Sequence, residues 1–249
     1  MTRFVIFTTP RTGSTLLIKS LYTHPEIICA GEIFFFKGPV FHNEYKYHFI
    51  KIPGIGNKLN YVVNYPFVWL KLKGFLNRFF TSNSKGEQAR GFKLMHYQTY
   101  YLPGVVDYLA KEKIRVIVLI RKNVLRNTLS DLRARSTGVY HNAAGVKVNA
   151  IPKFKVDVQE LGRKMREIES FNKQLDKASE KLDRKIVYYE DFENWEACIA
   201  GVQQFIGVSE TKLAAASKKL NPERLEDMLE NYDEVKNWLT VNGYSAYLD

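Results

Sequence analysis

The sequence predicts an α/β fold of three layers, in which helices cover both faces of a central parallel sheet. Short apolar segments of strand length alternate along the chain with segments whose apolar residues recur at helical spacing. Such alternation is typical of repeated strand–helix–strand units. The strand-like segments are continuous apolar runs rather than alternating ones, which indicates burial on both faces. A chain of 249 residues fits one large domain or a core domain with an insertion.

The chain opens with the predicted order strand, loop and helix. Residues 4–7 form a continuous apolar run, which we interpret as a buried strand. Small residues make up the loop from Thr8 to Gly13. Helical spacing begins at Ser14 and ends before Pro25, because a proline restricts the residue that precedes it. A second short strand is predicted at residues 27–30.

Residues 37–90 interrupt this alternation with an aromatic, basic and irregular stretch. We predict that they form a substrate-side insertion or lid within a single domain of residues 1–249. Five of their apolar residues share one helical face: Val68, Leu72, Phe75, Leu76 and Phe79. The preferred interpretation is a surface helix packed on the core. A substrate lid and an interfacial membrane helix are the alternatives.

Regular alternation resumes after this stretch. Strands are predicted at residues 91–95, 116–120 and 185–189, of which the second is entirely aliphatic and mostly β-branched. Helices are predicted at residues 105–113, through residues 125–132, and behind a capping box formed by Asp157 and Glu160. That last helix carries apolar residues from Leu161 to Leu182, and the remaining chain is predicted to be helical with a cap at Gly207.

The composition excludes several classes of protein. Hydrophobic residues make up 45% and charged residues 25%, which fits neither a disordered polyelectrolyte nor a membrane bundle. No signal peptide or membrane-spanning segment is predicted, so a cytoplasmic protein is expected. The two cysteines, Cys29 and Cys198, lie far apart and offer no metal-binding pattern or disulfide framework. We therefore expect no metal.

The charge balance favours anionic partners. The chain has 37 Lys and Arg residues against 26 Asp and Glu residues, a formal net charge of +11. Phosphorylated or polyanionic ligands and an acidic membrane surface all suit such a charge. No helix-turn-helix, zinc finger or RNA-binding aromatic signature accompanies it, so nucleic acid is not a predicted partner. Peripheral membrane contact remains open, as does the oligomeric state.

The loop after the first predicted strand has the features of an anion site. Ligands of parallel sheets bind beyond the carboxyl ends of the strands. Gly13 permits close approach of the backbone, and the N–H groups of residues 13–15 would point outward at a helix N-terminus. Arg11 adds a forked cation that suits phosphate or sulfate. The alternative is a tight turn capped by Ser and Thr side chains.

This loop differs from the loop of magnesium-dependent nucleotide enzymes. Their GxxxxGK[ST] pattern places a Lys directly before the Ser or Thr, where this chain has Gly13. The strand at 116–120 ends in Arg121, where those enzymes need a carboxylate for the metal. Arg121, together with Ser130 on the following helix, would bind a phosphate directly. A surface salt bridge is the alternative for Arg121, and a P-loop kinase is the alternative enzyme.

These segments resemble the sulfotransferases that use 3′-phosphoadenosine 5′-phosphosulfate (PAPS). TTPRTGSTLL is similar to the 5′-phosphosulfate loop of the family, and VLIRKNVLRNTLS to its 3′-phosphate segment. IVYYEDFENW, followed by FIGV, resembles the Tyr-Glu-Asp stretch and the helix end after it. The closest type is the bacterial carbohydrate enzymes, as in Nod-factor and trehalose sulfotransferases. In these the second segment continues into a stretch similar to ARSTGVYH, residues 134–141.

The resemblance implies a P-loop-containing fold and a metal-free, in-line transfer. A sulfuryl group would pass from PAPS to an acceptor hydroxyl on a carbohydrate or glycolipid, leaving adenosine 3′,5′-bisphosphate. The 5′-phosphosulfate would be held by Arg11, Thr12, Gly13, Ser14 and Thr15. The resemblance assigns the 3′-phosphate to Arg121 and Ser130, and contact with adenine to Tyr189. A half-buried tyrosine at a strand end is the alternative for Tyr189.

The resemblance also implies a base that takes the proton of the acceptor hydroxyl. Glu32 is the first choice, because it follows the second predicted strand and carbohydrate sulfotransferases place a glutamate similarly. A solvated or salt-bridged glutamate is the alternative. His96 is the second candidate, although Lys93-Leu94-Met95-His96 only loosely matches the Lys-x-His of the cytosolic enzymes. His141 is a further candidate for contact with the acceptor.

Overall fold

A computed structural model describes residues 1–34, 46–47, 65–82, 86–102, 104–137, 152–215 and 224–248. Five parallel strands form one sheet in the order β2-β3-β1-β4-β5. They are β1 (Thr2–Thr8), β2 (Ile27–Ala30), β3 (Ala89–Met95), β4 (Arg115–Ile120) and β5 (Arg184–Tyr188). The predicted α/β fold with a central parallel sheet is therefore confirmed.

The described helices cover both faces of this sheet. They are α1 (Ser14–Tyr22), α2 (Tyr65–Thr81), α3 (Val105–Lys111), α4 (Val124–Thr137), α5 (Val158–Ser179), α6 (Trp195–Ile206) and α7 (Tyr232–Val241). Short 3-10 turns follow at His96–Tyr100, Tyr189–Asn194 and Ser245–Tyr247. None of the helices in these described ranges is both long and apolar enough to cross a membrane.

Alternation along β1 divides the core between the two faces of the sheet. Val5 and Phe7 pack in a cluster with residues of α2 and α3. Phe4 and Ile6 point the other way and pack in a second cluster with α1 and α6. Because both faces are covered, the strands consist of continuous apolar residues, as the sequence indicated.

Helix α2 lies within the stretch predicted as an insertion, and it packs on the core. Leu72, Leu76 and Phe79 are buried in the cluster that contains Phe7. Arg90 of β3, itself fully buried, donates a hydrogen bond to the Phe79 carbonyl at 2.9 Å and ties the end of α2 to the sheet. The packed-helix interpretation is therefore confirmed. Most of the other residues in 37–64, and the side chain of Val68, lie outside the described residues.

The second half of the chain differs from the prediction at several boundaries; β5, for example, ends at Tyr188, and Tyr189 begins the following 3-10 turn. Asp157 does cap α5, since its carboxylate accepts hydrogen bonds from the N–H groups of Gln159 and Glu160. The helix ends at Ser179, however, and Leu182 lies in the following turn, where it packs against the core beside Leu175. The prediction of a helical remainder was also wrong for residues 208–215, which have no regular secondary structure after the left-handed cap at Gly207. It was wrong as well for residues 224–231, which form bends, turns and a single bridge.

The register of the sheet brings several loops to one edge. Thr8, the last residue of β1, pairs with Met95 of β3 and with Leu119 of β4. The residues that follow β1, β3 and β4 therefore emerge side by side. The outer strands β2 and β5 run parallel to them and end at the same edge.

Candidate active site

The residues predicted for the site follow the ends of all five strands. In the order of the strands across the sheet, Glu32 follows β2, His96 follows β3 and Arg11 follows β1. Arg121 then follows β4, and Tyr189 follows β5. With neighbouring strands about 4.8 Å apart, this row is roughly 20 Å long. The loop after β1 lies at its centre, flanked by His96 on one side and Arg121 on the other.

Threonine hydroxyls hold the loop of residues 8–13 in shape. The Thr8 hydroxyl donates to the Leu119 carbonyl at 2.8 Å and lies 2.6 Å from the Thr12 hydroxyl. Thr12 in turn donates to the Thr9 carbonyl at 3.1 Å. Thr12 is fully buried, so its side chain serves to hold the shape of the loop.

Two residues of this loop have left-handed backbones, Arg11 (φ 63°) and Gly13 (φ 79°). Gly13 also lies where a side chain would not fit, since an added Cβ would meet the rings of Tyr189 and Phe192 at 2.8 Å. Gly13 is the residue that precedes α1, and it has no side chain to cap the helix. The alternative prediction, a turn capped by a Ser or Thr side chain, therefore does not apply at Gly13. The first N–H groups of α1 are not capped by a side chain of this residue and could bind an anion.

Arg11 bridges the loop and helix α4. Its Nε donates to the Ser130 hydroxyl at 3.1 Å. Its backbone carbonyl accepts a hydrogen bond from Nη1 of Arg121 at 3.3 Å. The Arg121 side chain therefore contacts the loop that carries Arg11. Ser130 was predicted to pair with Arg121, but the structure brings it to the Arg11 side chain.

Arg121 is a buried cation that lies against an aromatic ring. Its residue is 8% exposed, and its guanidinium carbon lies 4.2 Å from the centre of the Tyr189 ring. Burial lowers its pKa, although an arginine remains protonated at any physiological pH. Within the described residues, its buried Nε has no hydrogen-bond partner. The nearby Glu190 carboxylate attracts this cation, and an anionic ligand at this strand end would supply a partner for Nε.

The acidic residues beside Tyr189 have local hydrogen bonds. The Glu190 carboxylate accepts from the backbone N–H groups of Lys122 and Asn123 at 3.2 and 3.1 Å, which joins the ends of β4 and β5. The Asp191 carboxylate accepts from the N–H of Tyr188 at 2.8 Å. Both carboxylates therefore shape the loops around Arg121.

Asn172, which the sequence analysis did not single out, connects the loops after β1 and β4. It lies on α5, and its Oδ1 accepts a hydrogen bond from the Thr9 hydroxyl at 3.2 Å. Its Nδ2 donates to the Arg121 carbonyl at 3.4 Å. Asn127 of α4 similarly donates to the Pro10 carbonyl at 3.2 Å. An isolated amide on a helix carries no motif, so nothing in the sequence distinguishes these residues from surface asparagines.

The two candidate bases occupy different environments. Glu32 is held in an ion pair with Lys93, Nζ to Oε1 at 2.7 Å, so the salt-bridged alternative is what the structure contains. The His96 ring is buried against the rings of Phe7, Tyr100 and Phe171. Burial lowers the pKa of His96 below its usual 6.5, because the charged imidazolium loses its hydration. His141 lies outside the described residues.

A cavity of about 90 Å³ opens beside Arg11 between α4 and α5. Its walls include Thr9, Asp131, Lys164 and Phe171. In the part of the chain that the structure describes, no group of three or more His, Cys, Asp or Glu side chains is arranged to hold a metal ion.

Comparison with known proteins gives two informative similarities. Nodulation protein H of Rhizobium tropici is 22% identical over 99% of this chain and 92% of its own. The crystal structure of a sulfotransferase from Alicyclobacillus acidocaldarius matches with a TM-score of 0.53 at 15% identity, and the match covers 100% of this chain and 94% of that one. Both similarities support a sulfotransferase family for this chain. No family model matches it. For a sulfotransferase, the P-loop-containing α/β fold is the expected one, and the structural match confirms it.

Proposed function

We propose that this sulfotransferase uses PAPS as donor and transfers its sulfuryl group to a hydroxyl of a carbohydrate or glycolipid. The observation that carries the donor assignment is Arg121, a buried cation that touches the loop after β1 and has an unpartnered Nε among the described residues. A nucleotide with a phosphate at that point would compensate the buried charge. PAPS supplies an activated sulfuryl group together with such a 3′-phosphate.

The residues of the cleft divide between the two ends of the nucleotide. Arg11 and the N–H groups of residues 13–15 would bind the 5′-phosphosulfate and stabilise negative charge on the leaving phosphate oxygen. Arg121 would bind the 3′-phosphate, with Ser130 close by through its hydrogen bond to Arg11. Tyr189 is the proposed contact to adenine. These roles agree with the order of the strands, because β1 and β4 are neighbours.

Glu32 is the proposed base. Its side chain is 22% exposed at the rim of the strand ends, where it would reach the proton of an acceptor hydroxyl. His96 is the alternative; it is 5% exposed and enclosed by aromatic rings, so it has less access to an acceptor. Its lowered pKa would nevertheless keep its imidazole neutral and able to accept a proton.

The acceptor class rests on the resemblance to the bacterial carbohydrate sulfotransferases. Both cysteines are free thiols, and Cys29 is fully buried, so a reducing compartment such as the cytoplasm suits the protein. The P-loop kinase alternative gains no support from the site. Arg121 follows β4 where a magnesium-dependent enzyme needs a carboxylate for the metal.

Binding of the product nucleotide tests the donor. Adenosine 3′,5′-bisphosphate at about 100 times its dissociation constant should stabilise the fold by about 2.7 kcal/mol, measured as a rise in melting temperature. Adenosine 5′-monophosphate, which lacks the 3′-phosphate, is the matched control and should stabilise less. Equal stabilisation by both nucleotides would contradict the role of Arg121. Transfer from labelled PAPS to a panel of hydroxyl acceptors should then persist in EDTA, whereas kinase activity with ATP would not.

A further inference from the structure

Lys93 is a buried lysine near the β2 end of the row of strand ends. It belongs to β3, and its side chain is only 9% exposed. Its neighbours Phe92 and Leu94 point to the opposite face of the sheet, into the apolar core. Burying an ammonium group costs several kcal/mol unless a partner compensates it, and here the partner is Glu32. The ion pair joins the ends of β2 and β3.

The other oxygen of the Glu32 carboxylate is held as well. Oε2 accepts from the Tyr97 hydroxyl at 3.3 Å and from the Gln98 amide at 3.4 Å. Gln98 is itself fixed, because it is 1% exposed and its Oε1 accepts from the N–H of Met95 at 2.9 Å. The carboxylate is thus restrained from two sides by groups of β3 and the turn after it.

These contacts leave the carboxylate able to accept one more hydrogen. A carboxylate has about four lone-pair positions, and three donors occupy positions here. The Glu32 side chain is 22% exposed, so a further donor can reach it. Buried ion pairs can often be replaced by apolar side chains with little loss of folding stability. Stability alone therefore does not explain the Lys93–Glu32 pair.

We propose that Lys93 and Gln98 are positioning residues, which fix the Glu32 carboxylate so that its free lone pair meets the acceptor hydroxyl. The proposal rests on the proposed function, in which Glu32 is the base. A displacement of the base by about 1 Å is enough to cost about 100-fold in rate, which sets the scale of the expected effect.

Replacement of the lysine tests the proposal. Lys93→Met should lower kcat by about 100-fold, while the affinity for adenosine 3′,5′-bisphosphate stays unchanged. Lys93→Arg, which restores a cation, should recover part of the turnover. In a Glu32→Gln background, Lys93→Met should cause no further loss, because it acts only through that carboxylate. Arg3→Met is the matched control: it removes the half-buried Arg3–Glu112 pair (3.2 Å) at the opposite end of β1, and should leave kcat unchanged.

The outcomes separate this proposal from the assignment of the base. If Glu32→Gln abolishes turnover but Lys93→Met retains it, the positioning role is overturned and the base stands. If Glu32→Gln retains turnover, both are overturned. Additive losses in the double variant also overturn the positioning role. If Lys93→Met does not fold, Gln98→Leu tests the same role, because Gln98 donates to Oε2 of Glu32. Its expected effect is a loss of about tenfold in kcat with nucleotide binding retained.

Discussion

The guanidinium carbon of Arg121 lies 4.2 Å from the centre of the Tyr189 ring. The two residues follow neighbouring strands, β4 and β5, and so meet at the edge of the sheet. Such a cation–π contact contributes about 2 kcal/mol when it is desolvated. It also fixes the plane of the guanidinium, which decides the direction in which its N–H groups can donate.

Arg121→Ala should weaken the binding of adenosine 3′,5′-bisphosphate by at least about tenfold, because each charge-assisted hydrogen bond to a phosphate is worth about 1.5–3 kcal/mol. Arg121→Lys should also weaken it, since a lysine neither stacks on Tyr189 nor presents a fork of donors. Isothermal titration calorimetry measures both. Arg115→Ala, at the other end of β4, removes a half-buried cation and is the control. An unchanged dissociation constant for Arg121→Ala would refute the assignment.

Gly13→Ala should destabilise the protein and abolish nucleotide binding. The added Cβ would lie 2.8 Å from the Tyr189 and Phe192 rings, in a backbone conformation that alanine disfavours. Gly243 has the same φ of 79°, but a Cβ added there would meet nothing within 4 Å, so Gly243→Ala measures the backbone cost alone. Thermal melts should show a larger loss for Gly13→Ala than for Gly243→Ala. Equal losses would mean that the rings yield to the new methyl group.

Asn172→Leu should weaken nucleotide binding without unfolding the protein. It removes a side chain that hydrogen-bonds both to Thr9, after β1, and to Arg121, after β4. Loss of two hydrogen bonds predicts a change of about tenfold or more in affinity, measured by calorimetry. Gln174→Leu, on the same helix, removes an exposed hydrogen bond to Tyr100 and should leave the affinity unchanged. Asn172 would have no positioning role if the two variants bound equally well.

Glu32→Gln should reduce turnover by at least about 100-fold with nucleotide binding retained, the usual size of a general-base contribution. His96→Asn should reduce it less. Steady-state kinetics at saturating donor compares the two. The reverse order of effects would move the role of base to His96.

Folding stability should decrease as the pH falls below about 6.5. Burial lowers the pKa of His96 in the folded protein, so between that lowered value and 6.5 the unfolded chain binds more protons. The stabilising contribution of the neutral imidazole is present above pH 6.5 and is lost as the pH falls through this interval. His96→Gln should show a weaker dependence in melting temperatures measured from about pH 7.5 to about pH 5. Parallel curves for both proteins would contradict the burial effect.

Sequence alone determined the strands, most of the helices and the loops that carry the site. The periodicity of apolar residues is a local property, and so is the position of Arg11 and Arg121 directly after apolar runs. Because parallel strands expose their carboxyl ends at one edge, these local patterns also predicted that the two arginines would lie near each other. The end of α5 was not predicted correctly, since Leu182 continues the apolar pattern beyond the last helical residue.

Only the tertiary structure decided which side chains meet. The order β2-β3-β1-β4-β5 places Lys93 beside Glu32 and sets His96 and Arg121 on opposite sides of the loop after β1. The contacts of Ser130 with Arg11 and of Asn172 with Thr9 join residues that are 119 and 163 positions apart. Such contacts depend on how strands pair and how helices pack across the whole domain, and no local pattern of residues encodes them.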